Sequence, residues 1–275
     1  MTSDGKALEL GKPPTIRARL PAFKVAEFGH RHGWAIASVV IGLSLWEFVS
    51  RVVVGSKLFL AAPSQVWMAI VDLWRSGELA KHVATSALEF AIGYVVACLL
   101  GIILGFLMAT FRPAKQALQP WVSGLYATPT VALAPLFILW FGIGIVSKVV
   151  VVAVLVIFPV AINTEVGLRN TPLLLVETVR AFGANARQIF FKVSLPSALP
   201  FIFAGLKLGI GRGLIGVVVA ELFGARSGLG QLIQQSAETF NMPTLFAGVT
   251  LLAAAGIAMT SGFAWLEKRL LPWRE

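Results

Sequence analysis

The chain has 275 residues, 57% of them hydrophobic and only 13% charged, about half the charged share of an ordinary soluble domain. Most of it therefore cannot face water, and disorder, which needs the opposite composition, is excluded. Twenty-three Lys and Arg against thirteen Asp and Glu leave a net charge of +10, which points to nucleic acid in a soluble protein and to basic cytoplasmic segments in a membrane protein.

Residues 1–33 hold Pro13, Pro14, Pro21 and six basic residues. They read as a basic cytoplasmic arm, flexible or lying on a surface, too long and polar for the start of a signal peptide. His30 and His32 flank Arg31 there and are too few for a metal site. A bilayer crossing takes about 20 mostly apolar residues. Six stretches meet that need: 34–50, 84–110, 120–140, 147–168, 199–222 and 243–266. Between the first two, Trp67, Ile70, Val71 and Trp74 recur at helical spacing over 63–75, as in a short helix at the membrane interface. Pro129 and Pro135 interrupt the third stretch and Pro159 the fourth, which predicts kinks at those points. Cys98 is the single cysteine, so neither an intrachain disulfide nor a cysteine metal site is available.

The charge sorts by side. With the N-terminus inside, the inner segments carry fifteen Lys and Arg and the outer ones six, and that bias sets the orientation. Both termini and the loop 169–198 then lie in the cytoplasm. The same sorting argues against a nucleic-acid partner.

The loop is the most informative segment. Glu177-Thr178-Val179-Arg180-Ala181-Phe182-Gly183 is followed, after nine residues, by Val193-Ser194-Leu195-Pro196. Gly183 suits the left-handed end of one helix, and Pro196 is expected to stop a second helix before the fifth span. Val179, Phe182, Ile189, Phe190 and Val193 give the unit an apolar side. That side fits either a docking element or a loop folded back on its own membrane domain.

These residues resemble the Glu-Ala-Ala loop of permease subunits of bacterial ATP-binding-cassette importers. There Glu-Ala-Ala, three residues, Gly, nine residues and Ile-x-Leu-Pro follow in order. Glu177, Gly183, Leu195 and Pro196 match; Thr178, Val179 and Val193 depart mildly. Ala62-Pro63-Ser64-Gln65-Val66, the run Pro135 to Gly144 with Ser147-Lys148, and Gly228-Leu229-Gly230 are similar to the branch for nitrate, taurine and alkanesulfonates. The resemblance covers residues 35–270. It implies an all-α, six-span type I importer permease over 34–275 that performs no covalent chemistry. It further implies a second permease, either another copy or a similar permease, two cytoplasmic ATP-binding subunits, and an extracytoplasmic solute-binding protein. ATP and Mg would belong to the partner ATPase, with no cofactor or metal in this chain. Glu177, Arg180, Ala181, Phe182, Gly183, Leu195 and Pro196 would carry the coupling.

No phosphate-loop motif is present. A literal G-x-G-x-x-G runs from Gly211 to Gly216, inside an apolar span rather than after a strand, so it lacks the context of a dinucleotide site. Gly205, Gly209 and Gly213 recur every fourth residue, as do Gly101 and Gly105, and read as faces for close helix packing. Ionisable residues inside spans are functional candidates. In the fifth span Lys207 and Glu221 lie about 40° apart around the helix axis and Arg212 about 140° from Lys207. All three are candidates for a translocation path, and Arg212 is expected toward the bundle interior or a cavity. An anionic substrate and a carboxylate partner are equally open for it. The sequence thus reads as an importer permease for a small, anionic solute such as an alkanesulfonate, taurine or nitrate. The alternative is a self-sufficient secondary carrier or channel, suggested by the broken third span; the inverted repeats expected of one are not visible.

Overall fold

A computed structural model describes residues 24–56 and 58–272, the first nine of them as backbone only. All regular structure among the described residues is helical. The chain divides into two units, residues 1–47 and 48–275. The proposed arm lies outside the described residues up to residue 23, as do the side chains of His30 and His32; residues 24–33 are already helical.

Helix α1 (Lys24–Phe48) runs into a π-helical stretch, Val49–Val54, and Gly33–Val54 is long and apolar enough to cross a membrane. In the second unit, α2 (Pro63–Arg75) starts with proline in its first turn, where the missing N–H is no loss. It buries Val66 and Leu73 and leaves Trp67 and Trp74 outside. The long helices α3 (Glu78–Thr110) and α6 (Ile145–Arg169) flank a broken segment made of α4 (Arg112–Ala127), a 3₁₀ turn (Thr130–Leu133) and α5 (Ala134–Phe141). Then follow α7 (Leu173–Ala181), α8 (Ala186–Ile189), a π-turn (Phe190–Ser194), α9 (Leu195–Leu222), α10 (Leu229–Glu238) and α11 (Met242–Leu270).

Side-chain register fixes how the chain winds. Glu89 meets Lys148, Gly93 meets Val152, Gly101 meets Val160 and Gly105 meets Thr164. The numbers rise together, so α3 and α6 are parallel and cross in the same direction. The chain between them must return across the same thickness, and α4 with α5 is that return despite an 87° bend. Gly205 meets Pro159, Gly209 meets Val156 and Gly216 meets Val152, so α9 runs opposite to α6. Leu214 meets Gly256 and Lys207 meets Glu267, so α11 runs opposite to α9.

Helix α6 forms the centre. Its Val152, Val156 and Val160 are buried against Phe90, Tyr94 and Ala97 of α3 and Ile210 and Val217 of α9. Glycines let the backbones come this close. A Cβ at Gly101 would stand 2.8 Å from Ile157 O, one at Gly205 2.8 Å from Asn163 Cβ, and one at Gly213 2.8 Å from Phe90 Cε2. Where hydrocarbon surrounds the helices, such close van der Waals contact supplies the association that water would otherwise drive.

The expectations for Pro135 and Pro196 change. The third span breaks at Thr128–Pro129, and Pro135 sits harmlessly in the first turn of α5. Pro159 lies inside helix α6, and its carbonyl accepts from Asn163 Nδ2 (2.8 Å). Pro196 does not stop a helix: Ala186–Leu222 is one helical run. The π-turn before it explains why, because its wider ring relieves the clash between the proline ring and the preceding turn.

Candidate functional site

The loop between α6 and α9 is held by local chemistry. Helix α7 ends with Gly183 at φ +82, donating its N–H to Arg180 O (2.9 Å), while Ala184 N donates to Val179 O (3.1 Å). This pair of bonds is a Schellman motif, which leaves the last carbonyls of the helix satisfied. The next turn closes as a capping box: Gln188 N donates to Asn185 Oδ1 and Asn185 N to Gln188 Oε1, both at 2.9 Å. The Asn-x-x-Gln spacing was available in the sequence and is the signal that reading overlooked.

The apolar side of the loop splits in two. Ile189 and Val193 are buried, and the Phe190 ring stands edge-on to Phe106 of α3 at 5.4 Å, so this part folds back on its own domain. Phe182 is 88% exposed, and Leu173 and Leu174 are 75% exposed. Glu177, Arg180 and Ala181 also face outward, whereas Leu195 and Pro196 are half-buried at the root of α9. A rigid helix–turn–helix thus presents an apolar and charged outer surface. Lys115 Nζ lies 2.7 Å from Glu165 Oε1, and Arg169 Nη1 3.8 Å from the same oxygen, tying the root of the loop to the start of α4.

The three charged residues of α9 have different surroundings. Lys207 pairs with Glu267 of α11. Glu221 is 1% exposed: its Oε1 accepts from Ser86 Oγ at 2.6 Å and its Oε2 from Gly230 N at 2.5 Å. Leu229 N donates in turn to Ser86 Oγ (2.8 Å). Glu221 and Ser86 together satisfy the first N–H groups of α10, where negative charge is also favoured by the helix dipole. Gly228 is required beside them, because at φ +134 a Cβ would collide with the Glu221 carboxyl. Glu221 is therefore placed as an anchor for α10.

Arg212 is exposed on the surface of this chain's packed helices, beside the glycine face of α9. Its guanidinium sits over the Tyr126 ring, 5.8 Å from the centroid. A further ion pair, Glu89 Oε1 with Lys148 Nζ at 2.6 Å, is buried between α3 and α6. Its partners are 59 positions apart, and no spacing rule links them.

An all-helical membrane domain with a projecting rigid loop matches a known family. Residues 97–272 match the model of the binding-protein-dependent transport system inner membrane component. The chain belongs to this family. SsuC of Bacillus subtilis, designated an aliphatic sulfonates transport permease, is 34% identical over 246 residues, covering 89% of each chain. The formylaminopyrimidine transport permease ThiX of Halalkalibacterium halodurans is 36% identical, over 84% of this chain and 92% of its own. The taurine transport permease TauC of Escherichia coli is 30% identical, over 87% and 89%. Among solved structures, an amino acid ABC transporter superposes with a TM-score of 0.57 at 16% identity, over 74% of this chain and 96% of its own. The MetNI methionine transporter does so at 0.53 and 23%, over 77% and 98%. At those identities they establish the fold. The chain is a permease subunit of an ABC importer, a multi-pass inner-membrane protein, and not itself an enzyme.

Proposed function

We propose that this permease works as a homodimer in which two cytoplasmic ATP-binding subunits dock on the two loops 169–198, while an extracytoplasmic binding protein delivers a small anionic solute. Both termini lie in the cytoplasm. The loop supports this reading most directly. It exposes Phe182, Leu173 and Leu174 to a partner while its Schellman motif and capping box hold it stiff. Stiffness matters because a flexible loop would absorb the motion it has to pass on. ATP binding and hydrolysis then occur in the partner. Closure of the two ATPases draws the loops together, and the continuous helix Ala186–Leu222 carries the displacement into the membrane. Glu177, Arg180, Ala181, Phe182 and Gly183 make the contact; Leu195 and Pro196 join it to the span.

The charge distribution supports the orientation, since the inner segments are the basic ones. The relatives bear names of chemically different solutes, so the preference for an anion rests on Arg212 within the membrane. The test is reconstitution of this chain with its ATPase and binding protein in liposomes. ATP-dependent uptake that vanishes when Phe182 and Leu174 are both replaced by Asp, with the permease still folded, is the expected result. Uptake by the chain alone, without ATP, would replace this reading with a secondary carrier.

A further inference from the structure

We propose that Arg212 and Tyr126 form an intramembrane binding site for the anionic head of the transported solute, of the sulfonate or carboxylate class. The inference deepens the importer reading and rests on it.

The first observation is a difference among cations. Three basic side chains on the long apolar helices of the second unit bear on this: Lys148 near the start of α6, and Lys207 and Arg212 within α9. Lys148 is neutralised by Glu89, and Lys207 by Glu267. Among the described residues Arg212 has no carboxylate partner, only the face of Tyr126.

The second is depth. Arg212 lies ten residues before the end of α9, so about 15 Å from that end at the rise of an α-helix, near the middle of a hydrocarbon layer about 30 Å thick. A guanidinium exposed at that depth cannot be left against lipid tails; such residues face a bundle interior or a water-filled cavity. Arg212 does not face the interior of its own chain. Its exposed side therefore opens onto the path.

The third is the backbone beside it. Tyr126 stands two residues before the break at Thr128–Pro129, where the chain turns by 87° and Pro129 is exposed. Irregular backbone at membrane depth is tolerated only where protein covers it or it lines a wet cavity. The cation and the break thus point independently to the same space. Gly211, beside Arg212, has nothing within 4 Å of a Cβ position, which leaves room for a ligand against the helix.

The chemistry selects the occupant. A guanidinium offers a planar fork of donors that matches the oxygens of a sulfonate or carboxylate. The tyrosine ring holds that fork in place by a cation–π contact and offers its hydroxyl as a further donor.

The test titrates the permease–ATPase complex in nanodiscs by calorimetry. The probes are ethanesulfonate and benzoate, with ethanesulfonamide and benzamide as neutral isosteres. At least one anion should bind, with its isostere at least tenfold weaker. R212Q should weaken anion binding at least tenfold, and R212K less, since it keeps a charge but loses the fork. If R212Q does not assemble, R212K and Y126L carry the test, each expected to lose threefold or more. Failure of both anions to bind, equal binding of the isosteres, or unchanged affinity in the variants would overturn the proposal. ATP hydrolysis by the same samples separates the two readings. A complex that never assembles or hydrolyses sinks the importer reading. An active complex whose anion binding ignores Arg212 sinks only this site.

Discussion

The buried pair Glu89–Lys148 yields the most quantitative prediction. Its charged atoms are 2.6 Å apart, and the side chains are 3% and 9% exposed. At an effective dielectric of about 20 the attraction is about 6 kcal/mol, against a desolvation cost of several kcal/mol for each ion. The net value of the pair is therefore small, but the cost of breaking it is large, because removing one partner leaves the other charge buried without its ion-pair partner. E89M and K148M should each destabilise by about 3–5 kcal/mol. The double variant E89M/K148M should recover to within about 1–2 kcal/mol of the parent, since two apolar side chains of similar volume then meet at the α3–α6 seam. The assay is reversible unfolding by SDS in mixed micelles, followed by circular dichroism, with the four proteins forming a double-mutant cycle. If each single variant costs under about 1 kcal/mol, or if the double costs the sum of the singles, the reasoning fails.

Other expectations concern glycines and the α10 anchor. Gly183 has open space where a Cβ would stand, so only its left-handed backbone opposes substitution. G183N should cost well under 1 kcal/mol and keep ATP-driven uptake, while G183V should cost about 1–2 kcal/mol locally and uncouple hydrolysis from uptake. Gly101 lies against Ile157 O and Val160, so G101V should overpack the α3–α6 seam by about 1–3 kcal/mol or more, read as loss of folded protein in detergent. E221A orphans Gly230 N and Ser86 and should cost about 1–3 kcal/mol, with hydrogen exchange rising first across α10; G228A should mimic it by displacing the same carboxyl. Protection of α10 unchanged in both variants would contradict the anchoring role.

The spans and the loop could be read from the sequence because each rests on local signals. Apolar runs of the right length mark the crossings, and a glycine at the end of an amphipathic stretch marks the turn at Gly183. The glycine stripe at Gly205, Gly209 and Gly213 was legible by spacing, although its partner helix was not. What stayed hidden depends on distant residues. Nothing near Glu89 announces Lys148, and nothing near Glu221 announces Ser86. Pro196 looked like a stop because proline usually is one; the π-turn at Phe190–Ser194 that accommodates it has no sequence signature used here. Nothing near Arg212 announces Tyr126.

The unbroken run from Ala186 to Leu222 joins the proposed docking element to the fifth crossing in one piece. At 1.5 Å per residue it is about 55 Å long. It is gripped along one side by α6, with Gly209 near the centre of that contact. In the proposed mechanism Gly209 would act as a fulcrum, with an inner arm of about 35 Å down to Ala186 and an outer arm of about 20 Å up to Leu222. A sideways pull at the inner end moves the outer end the opposite way by roughly three-fifths as much. Arg212, only about 5 Å beyond the fulcrum, hardly travels. On that proposal the permease would open one end and shut the other while the group at its midpoint stays almost still.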